Sequence, residues 1–148
     1  MNYEELLVEA DSNNLITKEK DLIAHKGRIK GNRIAIKKDL LQKEKACVLA
    51  EELGHFYTTA GDILSQETVL DIKQEQRARM WAYNKLIGLL GIVSAYESGC
   101  SSLYDMAEYL DVTEEFLAET LEAYTCKYGL STKVGNYTIY FEPLQISK

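Results

Sequence analysis

Residues 50–55 read Ala-Glu-Glu-Leu-Gly-His (AEELGH) and lie in a segment whose apolar residues recur at helical spacing. Glu51 and His55 are four positions apart, so a helix places both on one face, where two side chains can hold one metal ion. The stretch matches the metal-binding helix motif H-E-x-x-H, except that Glu51 stands where the motif has its first His. The residue after the first ligand, here Glu52, then lies beside the metal and can act as general base on a bound water.

A catalytic metal site usually has three protein ligands and one open position, so a third donor must come from elsewhere. The next helical segment supplies Glu75, with Ala78 and Ala82 on the same helix face. These small residues, together with Gly54 on the first helix, favour close packing of the two helices. We therefore expect the second helix to bring Glu75 towards His55.

Other donors and plainer interpretations stay open at this point. Asp62 and His25 are candidate substitute ligands, because a loop and a small sheet can approach the same cleft. Glu75 can also be the i, i+4 ion-pair partner of Arg79. The acidic residues of the AEELGH stretch can be solvated residues of an amphipathic helix, and its histidine can be structural.

Hydrophobic spacing predicts an α+β chain made mainly of helices with a small β-sheet. The sheet is expected within residues 21–37, where Gly27 and Gly31 flank a hairpin-like signal and residues 33–37 alternate apolar and charged side chains. Residues 15–23 are expected to run as an extended segment into a turn. The predicted helices of this part cover residues 2–13, 43–59 and 71–90.

Residues 96–148 are expected to form a C-terminal helical module that ends in a β-hairpin and packs on a core of residues 1–95 as one compact unit. Within 101–129 the pattern predicts two helices with the apolar rhythm of a helix-turn-helix. The second of these helices carries four glutamates and no Lys or Arg before Lys127. Such an acidic helix favours packing or protein recognition over entry into a major groove.

Composition limits the function classes. The 148 residues carry a formal net charge of -6, which argues against general nucleic-acid binding but leaves room for a small local contact. Three scattered cysteines without a C-x-x-C pair are typical of reduced thiols in a cytosolic protein. The first residues lack the features of a signal peptide, and the longest apolar stretch, residues 86–95, is too short to span a bilayer. We expect a cytoplasmic protein with no membrane partner.

The AEELGH stretch, followed by Glu75-x-x-Ala78-x-x-Trp81-Ala82, resembles the ImmA/IrrE family of metallopeptidases of phages, integrative elements and some bacteria. The flanking stretches, residues 31–36 (GNRIAI) and 59–63 (TAGDI), resemble the phage branch. The resemblance covers roughly residues 20 to 90 well and the remainder loosely.

The resemblance implies a zincin-like metallopeptidase core that cleaves a partner helix-turn-helix repressor and so derepresses phage or mobile-element genes. Carried over by position, His55 and Glu75 are metal ligands, Glu51 occupies the first-ligand position, and Glu52 is the general base. The implied metal is Zn²⁺ or another divalent ion such as Mn²⁺, which a Glu-His-Glu set favours more than a His-His-Glu set does. No other cofactor and no direct nucleic-acid partner are expected.

The departure at Glu51 keeps a second interpretation open. A non-catalytic module with a degenerate site would inhibit or sequester a repressor or another regulator by contact alone. A toxin- or antitoxin-like partner acting only by contact is a third interpretation. Metal retention by the purified protein distinguishes the first two.

Overall fold

The computed structural model describes residues 1–58 and 68–148. The chain divides into two compact units, Met1–Lys85 and Leu86–Lys148, whereas the sequence expectation placed the division after residue 95. Helices and small sheets occur together, so the predicted α+β class is confirmed.

The first unit contains helices on one face of a three-stranded sheet. The strand order is β1-β3-β2, with β1 parallel and β2 antiparallel to β3. The predicted hairpin is therefore present between β2 and β3, while the parallel pairing of β1 was not foreseen. The elements are α1 (Tyr3–Ser12), β1 (Ile16–Lys20), β2 (Gly27–Lys30), β3 (Arg33–Lys37), α2 (Gln42–Thr58) and α3 (Thr68–Leu86).

The sheet is amphipathic because alternate residues of a strand point to opposite faces. Ile34 and Ile36 of β3 are buried, and α2 packs against β2 and β3. The turn between β2 and β3 places Gly31 at φ +61°, a left-handed conformation that glycine adopts without a Cβ clash. The core of this unit thus lies between the inner sheet face and the helices.

Helix α1 begins with a capping box. The Asn2 side chain accepts a hydrogen bond from the Glu5 backbone N–H, and the Glu5 side chain accepts one from the Asn2 backbone N–H. Leu6 and Ala10 of this helix are fully buried, and α1 packs against α2. The predicted opening helix is confirmed, and it supports the helix that carries the AEELGH stretch.

The second unit contains three helices followed by an antiparallel β-meander of order β4-β5-β6. The hydroxyls of Ser102 and Thr113 accept backbone hydrogen bonds at the starts of two of these helices. Its elements are α4 (Gly88–Glu97), α5 (Leu103–Leu110), α6 (Glu114–Tyr128), β4 (Ser131–Val134), β5 (Tyr137–Phe141) and β6 (Leu144–Ser147).

Two predictions about these elements were wrong. The helix expected over residues 71–90 ends at Leu86, because Gly88 has φ +66° and starts a separate helix, α4. The C-terminal hairpin is a three-stranded meander, because residues 144–147 pair with β5 after Pro143. Of the helices that the structure describes, none is both long and apolar enough to cross a membrane.

Candidate active site

Helices α2 and α3 touch backbone to backbone at Gly54. A Cβ added to Gly54 would lie 2.9 Å from the carbonyl carbon of Ala78 and closer still to its oxygen. Ala78 and Ala82, which share one face of α3, are both fully buried. The sequence prediction of a close helix approach through these small residues is confirmed, because any larger side chain at Gly54 would separate the helices.

This approach brings together one side chain from each helix. The Nε2 atom of His55 lies 3.0 Å from Oε2 of Glu75, and Nε of Arg79 lies 3.2 Å from Oε1 of the same carboxylate. Glu75 therefore contacts His55 across the helix pair and Arg79 along its own helix. The expectation that Glu75 approaches His55 is confirmed, and so is the alternative i, i+4 pair with Arg79.

Glu52 lies on the sheet side of α2, where its side chain is buried. A Cβ on Gly27 of β2 would lie 3.0 Å from Oε2 of Glu52 and would collide with Val48, so glycine at this strand position leaves room for the carboxyl. Burial, followed by the charges of Glu51 and Glu75, raises the pKa of Glu52 to about 7. At neutral pH this carboxyl can therefore both accept and release a proton.

An aromatic and polar cluster supports the outer side of the helix pair. Tyr57 of α2 stacks on Trp81 of α3 with ring centroids 4.9 Å apart. The Tyr57 hydroxyl donates to a Glu9 carboxylate oxygen at 3.2 Å, and Lys85 lies 2.6 Å from the other oxygen of Glu9. These contacts link α1, α2 and α3 and fix the helices that position His55.

The expected metal ligands are only partly assembled. His55 and Glu75 are in contact, and the charge of Glu51 acts on Glu52. Over residues 1–58 and 68–148, no three or more His, Cys, Asp or Glu side chains form a group that could hold a metal ion. His25 is exposed in the loop between β1 and β2, and Asp62 lies outside the described residues. The roles assigned to Glu51, His55, Glu75 and Glu52 therefore stay predictions.

Sequence reasoning overlooked the role of one residue that shapes this site. The guanidinium of Arg79 orients the Glu75 carboxylate, as the i, i+4 spacing predicted. Gly27 was interpreted only as a turn residue, whereas it accommodates Glu52 and Val48 beneath the strand. No local pattern indicates this second role, because it depends on the packing of β2 against α2.

Comparison with known proteins gives two matches. The family model Peptidase_M78, described as the IrrE N-terminal-like domain, matches residues 6–122. A solved structure of a Mycobacterium tuberculosis transcriptional regulator is similar, with a TM-score of 0.61 and 15% sequence identity. That match covers 81% of this chain and 40% of the regulator, so it establishes similarity of fold alone. A search of curated proteins finds no match.

Proposed function

This chain belongs to the Peptidase_M78 family of IrrE N-terminal-like domains, and on that premise we propose that it is a cytoplasmic metal-dependent peptidase that cleaves a partner helix-turn-helix repressor. The cleavage would derepress the genes that the repressor controls, as in phages and mobile elements. The similarity of fold to a transcriptional regulator agrees with a role in gene regulation.

The observation that carries the proposal is the contact between His55 and Glu75. A zincin-like site needs two ligands of the first helix and one acidic residue of the following helix to converge, and these two side chains meet at 3.0 Å. Ligand bonds of about 2.1 Å place two ligands of one tetrahedral ion about 3.4 Å apart. The observed 3.0 Å is a hydrogen-bonding distance, and the two side chains would have to separate by about 0.4 Å to bind one divalent ion together.

The described side chains do not complete a metal site. Glu75 is held by Arg79 as well as by His55, and no third donor joins them within residues 1–58 and 68–148. The proposed set requires Glu51 to turn towards the pair, and Zn²⁺ and Mn²⁺ are the ions to test. Because the fit is incomplete, we assign no step of the reaction to a metal.

Glu52 is the residue to which we assign proton transfer. It is buried between α2 and β2, close enough to Glu51 and Glu75 for their charges to act on it. A carboxyl with a pKa near the working pH can take a proton from the attacking water and return it to the leaving amine. General acid–base catalysis of this kind contributes roughly 10²- to 10⁴-fold to a rate.

A second candidate function is a non-catalytic module that binds and sequesters the repressor. The specific observation in its favour is the absence of a three-donor group among the described side chains, together with Glu51 at the first-ligand position. In that case the His55–Glu75–Arg79 contacts serve only to join α2 and α3.

A cleavage assay on a purified candidate helix-turn-helix repressor separates the two functions. The wild-type protein, Glu52→Gln and the control Arg77→Gln are incubated with the purified repressor and Zn²⁺ or Mn²⁺, and intact masses are measured. The peptidase proposal predicts two repressor fragments with wild type and control, and a rate at least about 100-fold lower with Glu52→Gln. An intact repressor that co-purifies equally with all three proteins would instead establish the binding module.

A further inference from the structure

The outer face of the first unit's sheet is strongly cationic. We call it the basic sheet face, and it consists of the side chains that alternate with the buried residues of β1, β2 and β3. Two other members of the face, Ile16 and Ala35, are uncharged, and no member is acidic. The cationic members are Lys18, Lys20, Arg28, Lys30, Arg33 and Lys37.

These cations lack acidic partners. None of the six forms an ion pair with another residue in the part of the chain that the structure describes, and all but Lys37 are exposed. Neighbouring lysines such as Lys26 and Lys38, which lie off this face, do pair with Glu44 and Asp21. The positive charge of the face is therefore left uncompensated within the described chain.

The register also places like charges directly opposite each other. Lys30 pairs with Arg33 across β2 and β3, and Lys20 pairs with Lys37 across β1 and β3. Directly opposed like charges destabilise a sheet. A polyanion bound to the face would relieve this repulsion.

The chemistry of the face distinguishes among polyanions. Protein interfaces have an apolar centre from which charged residues are depleted, whereas this face offers only the half-exposed Ile16 and the small Ala35 between its cations. Single-stranded nucleic acids stack their bases on aromatic side chains, and the face has none. A shallow depression of about 400 Å³ runs among five of the six cations. These features suit the phosphates of a duplex.

The dimensions of the basic sheet face also suit the phosphates of a duplex. The four steps of about 3.4 Å within a five-residue strand, and the two gaps of about 4.8 Å between three strands, give a platform roughly 14 Å long and 10 Å wide. One strand of a duplex carries a phosphate every 3.4 Å along the helix axis, or roughly four over that length. The six cations and the phosphates of one duplex strand over this length are thus comparable in number.

We propose that the basic sheet face binds the sugar–phosphate backbone of duplex DNA without reading its sequence. The inference is independent of the proposed peptidase activity, since none of its six cations belongs to the candidate active site. It differs from the expectation of no direct nucleic-acid partner, which rested on the net charge of the whole chain and on the acidic helix within residues 101–129.

The test is the salt dependence of binding to a fluorescein-labelled 20-base-pair DNA duplex of arbitrary sequence. Fluorescence anisotropy is measured between 50 and 200 mM NaCl for the full chain, for Lys30→Gln/Arg33→Gln, and for Lys73→Gln/Arg77→Gln. The last variant removes the same charge from exposed positions of α3, and is the matched control. If five or six cations engage phosphates, the log–log slope for wild type should be about -5.

The face variant should bind about tenfold more weakly at 100 mM NaCl, with a slope smaller by about two, while the control keeps the wild-type slope. The midpoint of thermal unfolding of the face variant should equal or exceed that of wild type. Unfolding of the variant would then be excluded as the cause of its weaker DNA binding. Absence of duplex binding at 50 mM NaCl, or equal losses in the two variants, would overturn the proposal. Binding only to anionic phosphatidylserine vesicles or to polyglutamate would overturn it as well.

Discussion

At the scale of single residues, the substitution of Glu51 for the motif's first His changes the charge around Glu52. A carboxylate at that position adds to the effect of Glu75, and both oppose ionisation of a carboxyl that is already buried. The same substitution removes an imidazole ligand, so metal binding depends on whether the Glu51 carboxylate can take its place as a ligand. Glu52 reports on this environment directly, because its protonation depends on both neighbours.

Glu52→Gln should remove a pH-dependent destabilisation. The pKa of Glu52 is about 7 in the folded chain against 4.5 in the unfolded chain, so between these values the folded state binds more protons. The free energy of unfolding of wild type therefore falls as pH rises from 4.5 to 7, by at most about 3 kcal/mol, and the loss persists at higher pH. Urea denaturation at pH 5, 6, 7 and 8 measures it.

Glutamine cannot ionise, so the variant's advantage over wild type should be largest at pH 8 and should shrink towards pH 5. Glu122→Gln, at an exposed position of α6, is the control and should follow the wild-type profile. Parallel pH profiles for wild type and Glu52→Gln would show that Glu52 has an ordinary pKa.

Among the secondary-structure elements, α2 and α3 meet both through the backbone at Gly54 and through the His55–Glu75 contact. The glycine lowers the helix propensity of α2 by about 1 kcal/mol relative to alanine. In return, the backbone of Ala78 lies where a Cβ would be, and His55 and Glu75 come within 3.0 Å. The lower helix propensity of α2 at this position thus accompanies the close packing of the two helices.

Gly54→Ala should therefore destabilise the protein despite its better helix propensity. The added methyl would collide with the backbone of Ala78, which cannot rotate away as a side chain can. Overpacking of this kind costs roughly 1–3 kcal/mol, measured as the free energy of unfolding in urea. Gly91→Ala is the matched control, because its Cβ would meet side chains and no backbone, namely the flexible end of Leu110 at 3.3 Å and Cγ2 of Ile87 at 3.9 Å. Equal or greater stability of Gly54→Ala would contradict the proposed packing.

The sequence predicted most of the helices from local periodicity, and it predicted the His55–Glu75 approach from the small residues on α2 and α3. Apolar spacing, the caps at Ser102 and Thr113, and the small residues of α3 each act within a few residues of the chain. The parallel pairing of β1 with β3 depends on long-range contacts, as does the position of Gly27 over Glu52. Neither has a local signal, and for that reason neither the full sheet nor the environment of Glu52 was predicted.

At the scale of the whole molecule, the charge is divided unevenly between the two units. The first unit has fourteen Lys and Arg residues and fourteen Asp and Glu residues, while the second has three and nine. The net charge of -6 therefore resides entirely in the second unit. The net charge of the whole chain therefore conceals both the basic sheet face of the first unit and the acidic character of the second unit. The acidic second unit would attract a basic partner.

If α2 and α3 form a metallopeptidase site around His55 and Glu75, these two side chains bind a divalent ion, and the metal content of the protein depends on both. Wild type, His55→Ala, Glu75→Ala and the control Arg77→Gln are incubated with Zn²⁺ or Mn²⁺, freed of excess ion by gel filtration and analysed by plasma mass spectrometry. We expect about one bound ion per chain for wild type and control, from the usual occupancy of such sites, and loss of that ion in both alanine variants. A wild-type protein that retains no ion, or alanine variants that retain as much as wild type, would contradict the proposed site.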